Sequence, residues 1–222
     1  MSTSILSRII HRTVRRPDRG PAPGRARWKL AAATLGVALG ATSAAAAIVA
    51  TAPAFIQITP APPSVVLGAL QSDMVLFSFN ERQCLPVPAG GLKTDGGVIP
   101  AGTLVSSHFL HGDPVTNLLL SGQVLFNGPI LGVISSSGGL DASDVPFGAP
   151  GTTYPTGFGP RGLEAGMADA YAIIAGGFGI AARMEVPPLS FLDQIRVITR
   201  CCPGGPGGAC PGAPGGPGGQ PD

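Results

Sequence analysis

Apolar residues in this chain come in short runs, and what separates them is Gly, Pro, Asn and Asp rather than blocks of charge. Met74–Phe79 alternates in part, and Thr103–Leu110 is rich in β-branched and aromatic residues. Leu118–Phe126 and Ile130–Ser136 flank Asn127-Gly128-Pro129, a turn signal that suits a hairpin. Ala170–Ala175, Ile180–Val186 and Phe191–Thr199 complete the set. Many short β-rich runs with Gly/Pro turns and no heptads predict an all-β domain, an antiparallel β-sandwich of jelly-roll type, over residues 65–200. Thr116–Ser135 holds no charge, so hydropathy alone would allow a membrane helix there. Asn117, Gln123, Asn127, Gly128 and Pro129 oppose a lipid-facing helix and fit strands with a turn.

One apolar run has a different character. Leu30–Ala50 spans 21 residues without a charge, and eight Arg/Lys precede it, from Arg8 to Lys29. A cationic head (1–29) followed by an oily stretch (30–50) is an export address: the stretch partitions into lipid while the basic end stays cytoplasmic. Two fates compete. The run is near the length of about 20 residues that a spanning helix needs, so an uncleaved anchor would bring the membrane in as a partner. Small residues near its end, Ala41-Thr42-Ser43-Ala44 and the Ala44–Ala47 run, suit cleavage by signal peptidase. Arg15-Arg16 is followed by Pro17 and Asp18 and sits far from the run, which argues against the twin-arginine route. Residues 51–64 carry Pro53, Pro60, Pro62 and Pro63 and read as an extended linker. Residues 201–222 are rich in Cys, Gly and Pro without a strict triplet period, so they read as a disordered tail rather than collagen.

Charge refines this division. The whole chain is +2, but residues 30–222 hold six cations and eleven acids, a balance of −5. The basic excess is therefore topogenic, and the six remaining cations are scattered. Nucleic acid is not an expected partner, because phosphate binding needs clustered Lys/Arg. The setting expected is extracellular, cell-surface or periplasmic, with envelope or extracellular-matrix components as partners.

Several blocks recur in a familiar order. Val98–His108 is followed by Asp113-Pro114, then Gly132–Leu140 with Ala142-Ser143-Asp144, then Phe147–Pro155, Arg161–Glu164 and Asp193–Thr199. Over about residues 72–200 this resembles an uncharacterised domain of exported bacterial proteins, often found in PEP-CTERM type surface proteins. The resemblance implies a secreted β-sandwich in a surface or extracellular setting, and it implies no activity. The Pro-Glu-Pro sorting motif, apolar helix and basic cluster of sorted members are not found; the Cys/Gly/Pro stretch stands in their place.

Candidate chemistry is sparse. Cys84, Cys201, Cys202 and Cys210 can pair in three ways in an oxidising compartment. A bond from Cys84 to Cys201 or Cys202 would tie the tail to the domain; cross-linking to a neighbour is the competing use. Cys-Cys-x7-Cys without a nearby His is poor zinc spacing. His108 and His111 point to opposite faces if they share a strand, and His-Gly-Asp-Pro reads as a strand end with Asp113 bonding local backbone. Asp141, Ser143 and Asp144 beside Gly138-Gly139 form an acidic loop. Asp141 and Asp144 are candidate calcium ligands, although EF-hand spacing is absent and Asx-turns are the simpler account. Gly177-Phe178-Gly179-Ile180-Ala181-Ala182 matches a dinucleotide pattern, but Pro187-Pro188 interrupts the helix it would need, so a glycine turn between strands is expected. Gly90-Gly91-Leu92-Lys93-Thr94 lacks Walker spacing, and no G-x-S-x-G, S-x-x-K or H-E-x-x-H occurs. No cofactor and no catalytic residue is assigned. The function expected is structural or adhesive and non-catalytic. The alternative is a secreted hydrolase, using acids such as Asp141 and Glu164 or the pair His108 and His111, or a carbohydrate-binding module on the same scaffold. Glycan stacking is weakened because Trp28, the sole Trp, lies in the leader.

Overall fold

The computed structural model describes residues 47–116, 118–164, 168–186 and 191–201. The basic head, nearly all of the apolar run and the tail after Cys201 lie outside the described residues. Those described form mostly β-structure with one helix. The strands are β1 (Ile48–Ala52), β2 (Phe55–Gln57), β3 (Leu76–Asn80), β4 (Leu85–Pro86), β5 (Leu92–Thr94), β6 (Gly97–Ile99), β7 (Leu104–Gly112), β8 (Leu118–Phe126), β9 (Ile130–Ile134), β10 (Ala170–Ile174), β11 (Gly179–Val186) and β12 (Asp193–Arg200). Helix α1 spans Ser137–Phe147.

One sheet runs β1-β8-β11-β10, and the other runs β2-β3-β7-β12-β9 with β4 also on β7; β5 and β6 pair by themselves. Neither sheet closes into a barrel. Pairing is antiparallel except for β2 with β3, which is parallel, so the sheets are not purely antiparallel as expected. Apolar residues of both sheets share a core: Ile48, Val124, Phe126, Ile180 and Met184 from the first meet Leu76, Leu110, Val133, Ile195 and Val197 from the second. A second core covers the opposite face of the larger sheet, where Phe79, Val105, Phe109, Ile134 and Ile198 pack against Val65, Leu140 and Phe147. Strands β7 and β12 are thus buried on both faces, with alternate residues feeding alternate cores.

Three boundaries differ from the expectations. Leu118–Phe126 and Ile130–Ile134 are strands, but they belong to different sheets. Asn127-Gly128-Pro129 is therefore a corner between sheets rather than a hairpin turn. The expected acidic loop is α1. Its buried residues Leu140, Ser143, Asp144 and Phe147 follow helical spacing, and Ser136 caps its start by accepting from Gly139 N. The expected leader end and linker contain β1 and β2, one in each sheet. Gly122 makes that step possible: a Cβ there would lie 2.6 Å from Ala54 N and 2.8 Å from Ala52 O. Among the described residues, Ile48–Gln57 thus already pair into the two sheets, well before Val65. Among the described residues no helix is long and apolar enough to cross a membrane. Residues Ala175–Gly177 form a tight turn joining β10 to β11, with φ of +62° at Gly176 and +98° at Gly177.

Candidate functional site

Alternation along β12 sends Gln194, Arg196 and Ile198 toward α1, and Asp193, Ile195 and Val197 toward the other sheet. Arg196 is fully buried. Its Nε donates to Glu81 Oε2 at 2.7 Å and its Nη2 to Glu81 Oε1 at 2.8 Å. The remaining N–H groups reach Ser143 Oγ and Leu140 O on α1, and Asp144 Oδ1 at 3.1 Å. The guanidinium also lies 5.1 Å from the Phe109 ring centre and 5.3 Å from that of Tyr154. Burial works against the charge, but Glu81 and then Asp144 outweigh it and raise the Arg196 pKa.

A second buried arginine joins this network. Arg161 Nη1 donates to Asp144 Oδ2 at 2.7 Å and to Asp141 Oδ1 at 2.9 Å. Its Nε donates to Gln194 Oε1 at 2.8 Å, and Gln194 in turn donates to Val65 O. Gly162, at φ +105°, presses against the Ser135 carbonyl, which leaves no room for a Cβ and brings Arg161 over α1. Tyr154 donates its hydroxyl to Glu81 Oε1; burial and then the Glu81 charge raise its pKa, so it stays a donor. Each charge here is met by an opposite charge and by hydrogen bonds, the condition under which buried ions are tolerated. The network fastens α1 to β12.

A third group of acids is not neutralised in this way. Carboxylate oxygens of Glu164, Asp169 and Asp193 all lie within 4.8 Å of one another. Asp169 precedes β10, and its oxygens accept from Glu185 N at 2.6 Å and Glu164 N at 3.1 Å. Asp193 opens β12 opposite Gly112 and is fully buried. Neither of its oxygens meets an N–H or hydroxyl donor among the described residues, and neither does Glu164 Oε2; the hydrogen-bonding neighbours of Asp193 are the Asp169 and Glu164 carboxyls. None of the three acids is in an ion pair with a described residue. Burial, then the charges of Asp169 and Glu164, push the Asp193 carboxyl up to about 9. Burial and then the Asp169 charge raise Glu164. The set offers hard oxygen donors and no nitrogen or sulfur.

The structure distributes the sequence-derived candidates as follows. Cys84 and Cys201 form a disulfide with Cα atoms 5.1 Å apart; Cys202 and Cys210 lie outside the described residues. His108 and His111 do face opposite ways. His108 packs on Phe126 and bonds Asn80 and Thr199, whereas His111 bonds Gln194 and Leu70 O. Burial holds them down to about 3 and about 4. Asp113 is fixed by a distant backbone group, Gly68 N at 2.7 Å, not by local backbone. Asp141 and Asp144 both bind Arg161, while Glu164 stands with Asp169 and Asp193. The open groove between the β5–β6 hairpin and α1, about 690 Å³, has Lys93 and Asp95 as its charged lining. Sequence reasoning missed Asp169 and Asp193 as partners of Glu164. Glu164 and Asp169 stand five residues apart and Asp193 lies 24 residues further on, and no spacing motif links them.

Among the described residues, fold and site together define mostly β-structure, with two main sheets, a small two-stranded sheet and one helix, cross-linked by a disulfide and held by buried ion pairs. No protein-family model, no curated protein and no solved structure matches the chain.

Proposed function

We propose that this chain is an exported β-sandwich of the cell envelope or extracellular space, with a structural or adhesive role and no catalysis. The Cys84–Cys201 disulfide carries the reading, because such bonds persist in oxidising compartments and are rare in the cytosol. The basic head and apolar run supply an address of the same kind. Strand β1 starts at Ile48, directly after the small-residue run Ala44–Ala47, so cleavage there would leave the strand whole. The resemblance to an exported domain of bacterial surface proteins points the same way. The hydrolase alternative would use Asp141 with Glu164, or His108 with His111; the two acids belong to different clusters and the two rings face opposite ways.

The test is fractionation of a bacterial host producing the full chain, with N-terminal sequencing and thiol labelling. The product is expected in the envelope or medium, with Cys84 and Cys201 labelled only after reduction. Intact chain in the cytosol with both thiols open to labelling refutes the proposal.

A further inference from the structure

We propose that Glu164, Asp169 and Asp193 form a calcium-binding site joining the two sheets. Calcium takes oxygens at about 2.3–2.6 Å, so donors on opposite sides of one ion stand about 4.6–5.2 Å apart. The three carboxylates already meet within 4.8 Å, so a single ion can touch all of them. Asp193 is the second and independent pointer. It is fully buried, and its hydrogen-bonding neighbours among the described residues are the other two carboxyls, with no N–H, hydroxyl or cation on either oxygen; a buried acid cluster without a counter-charge is costly. A cation placed between Asp193 and Glu164 Oε2 would satisfy both.

The chemistry of the set selects the ion. All donors are carboxylate oxygens, which suits Ca²⁺ or Mg²⁺ and not the metals that prefer imidazole or thiolate. Mg²⁺ dehydrates reluctantly and keeps several waters. An ion meeting the buried Asp193 must give up much of its shell, which favours Ca²⁺. Asp169 is held in place by backbone N–H groups of Glu185 on β11 and of Glu164, so this ligand is aimed before the ion arrives. Asp193 belongs to β12 of the larger sheet, and Asp169 is anchored to β11 of the smaller one. The ion would therefore staple one sheet to the other.

The full chain, stripped with EGTA, is titrated with CaCl₂ by calorimetry and melted with and without Ca²⁺. One ion per chain is expected, with a dissociation constant of about 10⁻⁴–10⁻³ M, the range of extracellular calcium modules, and a raised unfolding midpoint. Asp193→Asn keeps the shape and removes a repelling carboxyl. Its midpoint in EGTA should equal or exceed that of the parent, and its affinity should fall at least about tenfold. Asp141→Asn should bind as the parent does. If Asp193→Asn does not fold, Glu164→Gln on the half-buried acid decides by the same loss of affinity. Absence of binding up to about 10 mM would mean that the carboxyls share only a proton, and the proposal fails. Undiminished binding by the variant, or an equal response to Mg²⁺, overturns it too.

Discussion

Replacing Arg196 by Met tests whether the buried network holds α1 on β12. Methionine keeps much of the length and volume but has no charge and no N–H. Both Glu81 oxygens lose a guanidinium donor at 2.7–2.8 Å, and the Glu81 side chain has no exposure through which water could compensate. The hydroxyls of Tyr154 and Ser107 remain on Glu81, and Asp144 keeps Arg161, so one carboxylate is left without its cation. Breaking one side of a buried pair costs about 3–5 kcal/mol. That is a large share of the ~5–15 kcal/mol by which domains are stable. The double variant Arg196→Met/Glu81→Gln removes both charges and should return to within about 1–2 kcal/mol of the parent. Equilibrium urea unfolding of the four proteins of this cycle, all oxidised and at neutral pH, gives the coupling directly. A coupling above about 2 kcal/mol is expected. A single Arg196→Met cost below about 1 kcal/mol, or effects that simply add, would show that the network does not bear on stability.

The disulfide closes a separation of 117 residues, so loop-closure entropy assigns it about 5 kcal/mol. Melting the Cys84→Ser/Cys201→Ser variant beside the oxidised parent should show a loss of that order, and an unchanged midpoint would contradict it. His108 is neutral when folded, its pKa held at about 3 by burial, whereas the unfolded chain takes up a proton below about 6.5. The unfolded state then binds more protons, so stability falls as pH drops from about 6.5 towards 3, by at most about 1.4 kcal/mol per pH unit from this ring. His111, held at about 4, acts in the same direction. His108→Gln should flatten that slope in urea melts taken between pH 4 and 7; equal slopes in variant and parent would refute the account.

Most of the strands were legible because half-buried and apolar runs carry their own punctuation. Leu118–Phe126 matches β8 residue for residue, and Ala170–Ala175, Ile180–Val186 and Phe191–Thr199 fall within a few residues of β10, β11 and β12. The opposed faces of His108 and His111 followed from the pleat alone. Helix α1 was hidden for a definable reason. Two of its four buried positions are Ser143 and Asp144, and its first turn is Gly138-Gly139, so neither apolar periodicity nor propensity marked it. β1 and β2 were hidden by an Ala-rich run and by prolines.

By itself, the chain's order of residues determined that short strands would form, where the basic and apolar stretches lie, and which cysteines were available. Only the tertiary structure decided that Asn127-Gly128-Pro129 turns between sheets, that Cys84 meets Cys201, and that Glu164, Asp169 and Asp193 converge. Pleat, turn chemistry and charge runs are local, so they are written in neighbouring residues. Pairing across more than a hundred residues, and polar groups chosen to satisfy one another in a core, depend on which faces are brought together, and local sequence does not encode that.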